Sequence, residues 1–239
     1  MKINTITFHR TTNYGASLQA YALQYYLKKI GAESEVIDYV LLKPRIFRSI
    51  QFISIKTVLR DLYLNLFSLI KLEKIKEKYN KFEKFTNNYI KLTRKYNTIY
   101  ELKKDPPKSD CYITGSDQLW NMTYRISPEF FLDFGDESIK KYSYAISIGI
   151  YDYPDEKLNY MQNHLKYFQN ISVREEEAKK FLKNKFQIDS QVDVDPTLLL
   201  GKDEWLEISK TPEIKEPYIL CYPLLSNEDM QKVLDKLKK

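Results

Sequence analysis

The first forty or so positions of the chain alternate apolar and polar residues and then repeat apolar residues at helical spacing. The opening INTITFH alternates as a β-strand does, and from Ser17 apolar side chains recur every three or four residues until Gly31. SEVIDYV then predicts a second strand. A strand, a helix and a following strand at this spacing form a βαβ unit. We therefore predict an α/β fold, a Rossmann-like parallel sheet flanked by helices.

Three later segments place polar residues directly after an apolar run. CYITGSDQLW and YSYAISIG predict strands that end in polar turns, and ISVREEEAKKFLKN predicts a short strand that passes into a helix. Acidic residues in the first turn of that helix suit its positive end. These segments extend the predicted parallel sheet.

Residues 47–95 have helical character, and IQFISIKTVLRDLYLNLFSLIKL within them is amphipathic. Lys and Arg interrupt this stretch too often for a membrane span. It either lies on a membrane surface, as in a peripheral membrane protein, or packs on the sheet or a partner. We place it as a helical insertion at about 46–95 in an amino-terminal domain of residues 1–210.

A new strand and helix follow the proline-bounded segment KTPEIKEP. YILCYPLL predicts a buried strand, and NEDMQKVLDKLKK predicts an amphipathic helix. This βα unit has no sheet of its own to join. We therefore predict that residues 211–239 are the start of a second, truncated α/β domain.

Charge and cysteine content narrow the class of protein. The net charge is +6 over 239 residues, and this positive charge suits an anionic small ligand. Because Lys is scattered among Glu and Asp, the charge pattern argues against binding of nucleic acid. The amino terminus has neither a signal nor a transit peptide pattern, so we expect a cytoplasmic protein. Cys111 and Cys221 lie far apart without His or Cys neighbours, which predicts two reduced, buried thiols.

Parallel sheets bind ligands at the carboxyl ends of their strands, next to helix amino termini. Polar clusters follow four of the predicted strands here. They are His9, Asn13, Tyr14, Gly15, Ser17 and Gln19; Gly115, Ser116, Asp117 and Gln118; Ser147 and Gly149; and Arg174. Gly15 would bring backbone close to a ligand, Ser17 would cap the helix, and Asn13 tolerates a tight turn. A structural turn with an ordinary cap explains the same residues.

Several side chains carry possible chemistry. Histidine is the residue type most often used as a general base, so His9 is a candidate for that role, or else a hydrogen-bonded structural residue; His164, in a predicted helix, is a weaker candidate. Arg174 could bind a carboxylate or phosphate, or pair with the adjacent glutamates. The acidic pair in DVD at 193–195 suggests a metal site, but the Pro and the apolar run after it favour a structural turn. We predict no bound metal.

Five segments in register resemble one family. NYGASLQAYALQ, ITGSDQLWN, YSYAISIG, ISVREEEA and VDPTLLL, in this order, closely resemble the polysaccharide pyruvyl transferase family from His9 to about Leu225. The resemblance implies transfer of the enolpyruvyl group of phosphoenolpyruvate to a sugar, as a ketal, with release of phosphate. It also implies a two-domain, GT-B-like architecture with the active site between two Rossmann-like halves.

The resemblance further implies roles for the polar clusters. The loop at 13–19 and the GSDQ turn would touch the sugar acceptor, and Arg174 would face an anionic group. Beside the resemblance, we predict Arg174 and His9 as catalytic residues and Ser147 and Gly149 as further substrate-binding residues. Phosphoenolpyruvate is the donor substrate and no separate cofactor is implied. The acceptor would be a sugar or lipid-linked oligosaccharide of a cell-surface or exopolysaccharide precursor, met in the cytoplasm at the inner face of the membrane.

Two other functions remain open. A glycosyltransferase of GT-B type would use a nucleotide sugar in a similar fold, and fold alone does not separate the two. A non-catalytic sugar-binding fragment would bind the acceptor and be inactive alone. The donor used, or the lack of turnover, distinguishes the three.

Overall fold

Six parallel strands form the central sheet of the protein. The computed structural model describes residues 1–40, 58, 72–123, 125–221 and 228–237. The strands of this sheet, in chain order, are β1 (Lys2–Ile6), β2 (Glu33–Tyr39), β3 (Leu92–Tyr96), β4 (Cys111–Thr114), β5 (Lys140–Ser143) and β6 (Phe168–Asn170). Their spatial order is β3-β2-β1-β4-β5-β6, with every neighbouring pair parallel. This order confirms the predicted Rossmann-like α/β fold.

A second, two-stranded sheet extends the carboxyl edge of the first. It consists of β7 (Ser172–Val173) paired in parallel with β8 (Gln191–Val192). Single bridges join Asp117 to Ile146 and Ile146 to Val173. The segments that follow β4 and β5 are thereby fixed to the end of β7.

Helices flank the sheet. In chain order they are α1 (Tyr14–Lys29), α2 (Leu72–Tyr89), α3 (Ile99–Lys104), α4 (Asp155–Leu165), α5 (Glu176–Phe186), α6 (Lys202–Leu206) and α7 (Glu228–Leu237), with 3-10 turns at Pro128–Phe131 and Pro196–Leu198. α1 follows β1 as predicted, and α5 carries Glu176 and Glu177 in its first turn. The helices cover the inner strands of the sheet, and β1 is therefore buried at every residue after Lys2.

The main hydrophobic core surrounds Trp120, which follows β4. Its ring is fully buried, stacks on Phe131 at a centroid distance of 5.7 Å, and meets Phe168 edge-on at 5.6 Å. The indole Nε1 donates to the carbonyl of Phe130 at 3.1 Å. A buried indole with a satisfied N–H anchors the turn that begins at Gly115.

Two strands of the six-stranded sheet lie where the sequence pattern indicated none. β3 occupies residues that we assigned to a helical insertion at about 46–95, and that part of the expectation is wrong. Helical structure is present at α2, whereas most of residues 46–71 lie outside the described part. β6 is a strand of three residues in a segment that we left unassigned. β3 and β6 are the two edges of the sheet, where half-exposed strands lack a continuous apolar run.

The carboxyl-terminal residues form a separate compact unit. Contacts divide the chain into Met1–Gly201 and Lys202–Lys239, and our limits at 210 and 211 stay predictions. α7 lies within the predicted helix, but residues 218–221 have no regular structure and are exposed, so the predicted buried strand is not seen there. Residues 222–225 lie outside the described part. Cys111 is buried, whereas Cys221 is exposed, contrary to expectation.

Among the described helices, none has the length and apolarity needed to cross a membrane.

Candidate functional site

The polar clusters predicted from the sequence lie at the carboxyl edge of the sheet. β1 and β4 are neighbours there, and the chain leaves them in opposite directions, towards β2 on one side and β5 on the other. Such a switch point opens a crevice between the two following loops, which is where open parallel sheets bind ligands. By this rule the ligand position expected here lies between the loop at 7–13 and the turn at 115–118, and we call the region between these two segments the crevice.

Asn13 begins α1. Its Oδ1 accepts a hydrogen bond from the Ala16 amide at 3.2 Å, and its backbone is extended, as an N-cap residue requires. The expectation that Ser17 caps the helix is therefore wrong, because Ser17 lies one turn inside and is buried. Gly15 is helical and its position would admit a Cβ, with Asn13 Oδ1 3.4 Å away. Positive φ is thus not the reason for glycine there.

Gln19 connects the two loops of the crevice. Its Nε2 donates to Thr7 Oγ1 at 2.8 Å, and its Oε1 accepts from the Ser116 amide at 3.1 Å. The Thr7 hydroxyl in turn donates to the Ser116 carbonyl at 3.1 Å. Gln19 is only 2% exposed, so these hydrogen bonds are shielded from water. They fix the distance between the loop after β1 and the turn after β4. We predicted that Gln19 contacts the substrate, but its side-chain amide is already used in these internal hydrogen bonds.

Gln19→Leu should lower the free energy of unfolding by about 2 kcal/mol, because it leaves the Ser116 amide without its acceptor and removes the hydrogen bond that Thr7 Oγ1 accepts. Urea unfolding of variant and parent measures the difference. Gln118→Leu, at an exposed position of the same edge, is the control and should change stability by less than about 0.5 kcal/mol. Equal effects of the two substitutions would contradict the bridging role.

His9 lies under the first loop in a charged cluster. Its Nε2 is 3.1 Å from Asp38 Oδ1 and its Nδ1 is 3.0 Å from the Thr7 carbonyl. Both neighbours are acceptors, so both bonds form only when the ring carries two N–H groups. The side chain is 1% exposed, which leaves neither nitrogen open to a substrate. The base role of His9 stays a prediction that this geometry does not favour.

Asp38 is the centre of that cluster. Arg10 donates to both carboxylate oxygens, from Nε at 2.5 Å and from Nη2 at 2.7 Å. Burial alone would raise the pKa of Asp38, but the hydrogen bonds and charges of Arg10 and His9 hold this pKa well below its usual range. The cluster joins β2 to the loop after β1 and so supports one wall of the crevice.

The turn after β4 forms the other wall. Gly115 has φ +129°, and a Cβ there would collide with the Tyr144 carbonyl. Asp117 has φ +83°, a left-handed conformation that non-glycine residues rarely adopt, and its Oδ1 accepts from the Gln118 amide at 2.7 Å. Burial raises the pKa of the Asp117 carboxyl. Non-glycine residues held at such angles often belong to functional sites.

Ser147 and Gly149 pack against this turn. The Ser147 amide donates to the Asp117 carbonyl at 2.9 Å, and its carbonyl accepts from the Trp120 amide at 3.3 Å. Gly149, with φ +80°, lies against the side chain of Asn121, where a Cβ would come within 2.6 Å of the amide nitrogen. Ser147 is buried, so of the two only the exposed Gly149 borders solvent.

Arg174 follows β7 at the same edge. Its amide donates to the Ile146 carbonyl at 3.1 Å, while Nε donates to Glu175 at 3.1 Å and Nη1 to Asp195 at 3.0 Å. Burial disfavours the charge, but these two carboxylates outweigh it and raise the pKa of Arg174. Nη2 makes no hydrogen bond to the described residues, so part of the guanidinium can still meet an anion.

The structure thus divides the predicted residues into two sets. The exposed or half-exposed set can meet a ligand: Asn13, Tyr14, Gly15, Asp117, Gln118, Gly149 and Arg174. The buried set supports the crevice: His9, Ser17, Gln19, Gly115, Ser116 and Ser147. His164 is apart from both, in the last turn of α4.

The acidic segment at 193–195 is engaged in hydrogen bonds. Ser172 and Gln191 donate to Asp193, and Asp195 accepts from the Thr197 amide at 2.9 Å besides pairing with Arg174. In the described part of the chain, no three His, Cys, Asp or Glu side chains are arranged to hold a metal ion. The segment acts as a turn that orients Arg174.

Sequence reasoning missed Arg10, Asp38, Thr7 and Asp195 as parts of this edge. Only Asp38 gave a signal, since a carboxylate inside an otherwise apolar strand needs a partner when it is buried. The others depend on which loops the sheet brings together.

An open parallel sheet with this strand order defines a Rossmann-like α/β protein, and in such sheets the carboxyl edge is the usual place of a ligand. The chain belongs to the polysaccharide pyruvyl transferase family, whose model matches residues 13–237. Comparisons with curated proteins and with solved structures gave no match.

Proposed function

We propose that this protein transfers the pyruvyl group of phosphoenolpyruvate to a sugar of a polysaccharide precursor, forming a ketal. The observation that carries the proposal is the family match over residues 13–237, which spans the turn after β4 and Arg174. The geometry supports it, because polar side chains from separate loops meet at one edge of the sheet.

The reaction needs a proton donor and a site for a polyanion. Protonation of the methylene carbon lets one sugar hydroxyl bond to the central carbon; a second hydroxyl then displaces phosphate, and both hydroxyl protons leave. We assign the anionic end of the donor to Arg174, whose Nη2 is not engaged by the described residues. Asp117 is suited to proton exchange, because its half-buried carboxyl accepts a hydrogen bond from the Gln118 amide and from no other described residue, and because burial raises its pKa.

We propose that Asn13 and Gln118 hydrogen-bond the sugar, since both are exposed at the two walls of the crevice. His9 acts through the loop above it: with Asp38 and Arg10 it holds the backbone that leads to Asn13. As acceptor we propose a lipid-linked oligosaccharide met at the inner face of the membrane. The net charge of +6 favours approach to an anionic surface.

The direct test supplies the protein with phosphoenolpyruvate and saccharides that carry neighbouring hydroxyl pairs. We expect phosphate release that requires both substrates, and a product heavier by one pyruvic acid minus one water. Mass spectrometry of the saccharide and a phosphate assay measure these. Sugar transfer from a nucleotide sugar, with phosphoenolpyruvate left intact, would contradict the proposal and support a glycosyltransferase.

Arg174→Ala should reduce kcat/KM for phosphoenolpyruvate by about tenfold to a hundredfold, the effect of losing a charge-assisted contact of about 1.5–3 kcal/mol. Arg94→Ala removes an arginine that pairs with Asp105 at the β3 edge of the sheet and serves as the control. We expect that control to retain parental kinetics. Unchanged kinetics of the Arg174 variant would remove Arg174 from the donor site.

A further inference from the structure

An apolar cavity lies beside the crevice, between the first turns of α1 and the helix α2. Its volume is about 210 Å³. Tyr14, Leu18, Phe82 and Phe85 form its apolar lining, and the rings of Tyr14 and Phe82 are 4.8 Å apart. A water molecule takes about 30 Å³ of the liquid, and a methylene group is of similar size, so the cavity has room for roughly seven such groups. It is thus sized for a short hydrocarbon and too small for a folded segment of another protein.

Positive charge borders the same cavity. Lys78 and Lys81 line it, and Lys78 Nζ lies 6.0 Å from the centroid of Tyr14 and 5.8 Å from that of Phe82. Lys81 pairs with Glu77 at 2.7 Å, whereas Lys78 makes no ion pair with the residues that the structure describes. The first turn of α1 contains no acidic residue, so its positive end is not neutralised locally.

One polar atom of the lining lacks a partner. Ser17 is 2% exposed, and its hydroxyl makes no hydrogen bond within the described part of the chain. Buried hydroxyls are usually satisfied, so Ser17 leaves one hydrogen-bonding position unfilled beside the cavity, and a ligand oxygen would reach it only with a small shift of the lining.

These features favour an amphipathic anion over a sugar. Among the described residues, the lining supplies ammonium and hydroxyl groups but no carboxylate, amide or guanidinium, so the many hydroxyls of a saccharide would find few partners there. A hydrocarbon chain fits the aromatic and aliphatic walls, and a phosphate fits Lys78 and the start of α1. We propose that this cavity binds the phosphate end of a single-chain alkyl or prenyl phosphate, with the first carbons of the chain between Leu18 and Phe82.

The proposed occupant also relates to catalysis. If the protein transfers the pyruvyl group to a lipid-linked acceptor, this cavity would hold the lipid phosphate beside the crevice. Only this link to catalysis rests on the proposed function. Binding of the amphipathic anion does not require turnover. The two proposals can therefore fail separately.

Octyl phosphate, used below its micelle concentration, is the probe. Isothermal titration of the chain should show it binding at least about tenfold more tightly than inorganic phosphate, 1-octanol or a free disaccharide. Leu18→Trp, which fills the cavity, should weaken binding by about tenfold or more. Lys78→Gln should weaken it by about fivefold to tenfold, whereas Lys76→Gln, an equal charge change on α2 away from the cavity, should leave it unchanged.

Equal affinity for octyl phosphate and inorganic phosphate would overturn the inference, as would tighter binding of the disaccharide. So would equal effects of the Lys78 and Lys76 variants, which remain informative if Leu18→Trp does not fold. Tight binding of octyl phosphate without pyruvyl transfer would keep this inference and contradict the proposed function. Transfer without such binding would do the reverse.

Discussion

Gly115→Ala should lower the free energy of unfolding by about 3 kcal/mol or more. Gly115 has φ +129°, which L-residues avoid, and the added Cβ would collide with the backbone carbonyl of Tyr144. Since that carbonyl belongs to the segment leaving β5, the clash cannot be relieved by rotating a side chain. The turn that carries Ser116 and Asp117 would have to move.

Gly15→Ala is the matched control for that substitution. Gly15 is helical, and its nearest contact to an added Cβ is Asn13 Oδ1 at 3.4 Å. Alanine there should leave stability unchanged or raise it by up to about 1 kcal/mol. Thermal and urea unfolding of both variants measure the contrast. A Gly115 variant as stable as the Gly15 variant would show that the turn does not require glycine.

Asp38→Asn should cost about 3 kcal/mol at neutral pH, because it removes the buried anion that pairs with the partly buried guanidinium of Arg10 and that lies within hydrogen-bond distance of His9. Asp189→Asn, which removes an exposed ion pair with Lys183, should cost less than about 1 kcal/mol. Unfolding free energies from urea titrations test both. Similar costs for the two would mean that the cluster at Asp38 does not support the fold.

The same cluster predicts a pH dependence. The pKa of Asp38 is lower in the folded protein than in the unfolded chain, where it is about 3.9, so the unfolded chain binds the proton first. The stabilisation is therefore complete above about pH 5 and is lost as the pH falls below about 4 towards the folded-state value. We expect the difference between parent and Asp38→Asn to shrink over that range. A difference that stays constant down to pH 2 would contradict the assigned charge state.

Much of the sheet followed from local sequence pattern. β1, α1 and β2 were predicted because a buried strand and an amphipathic helix leave periodic apolar positions that neighbouring residues reveal. β3 and β6 were not, because edge strands are half exposed and β6 has only three residues. Pattern alone does not indicate a short strand whose stability comes from its neighbour.

The grouping of the polar clusters at one edge of the sheet was predictable to the same extent, whereas their role in ligand binding stays a prediction. Polar clusters after successive strands must share an edge in a parallel sheet, and Asn13, Asp117 and Arg174 do so. Which of them would face solvent was not predictable. Gln19 and Ser116 are 97 residues apart in sequence, and their hydrogen bond exists only because β1 and β4 are neighbours in register.

Local capping shows the same distinction at short range. Ser17 and Asn13 are both good N-cap residues, and the apolar periodicity from Ser17 favoured the former. The helix begins a turn earlier because Asn13 is extended and bonds Ala16. The first turn of α1, from Tyr14 to Ser17, contains no large aliphatic residue, so the start of this helix is set by the cap and not by apolar periodicity.

Hydrogen–deuterium exchange with and without phosphoenolpyruvate and a saccharide acceptor tests the central claim most directly, namely that the ligand site lies at the carboxyl edge. We expect slower exchange in residues 13–19, 116–121 and 174–178, and no change in residues 131–141, which precede or begin β5 at the opposite edge. Protection confined to residues 131–141, or no protection at the carboxyl edge with both ligands present, would contradict the claim.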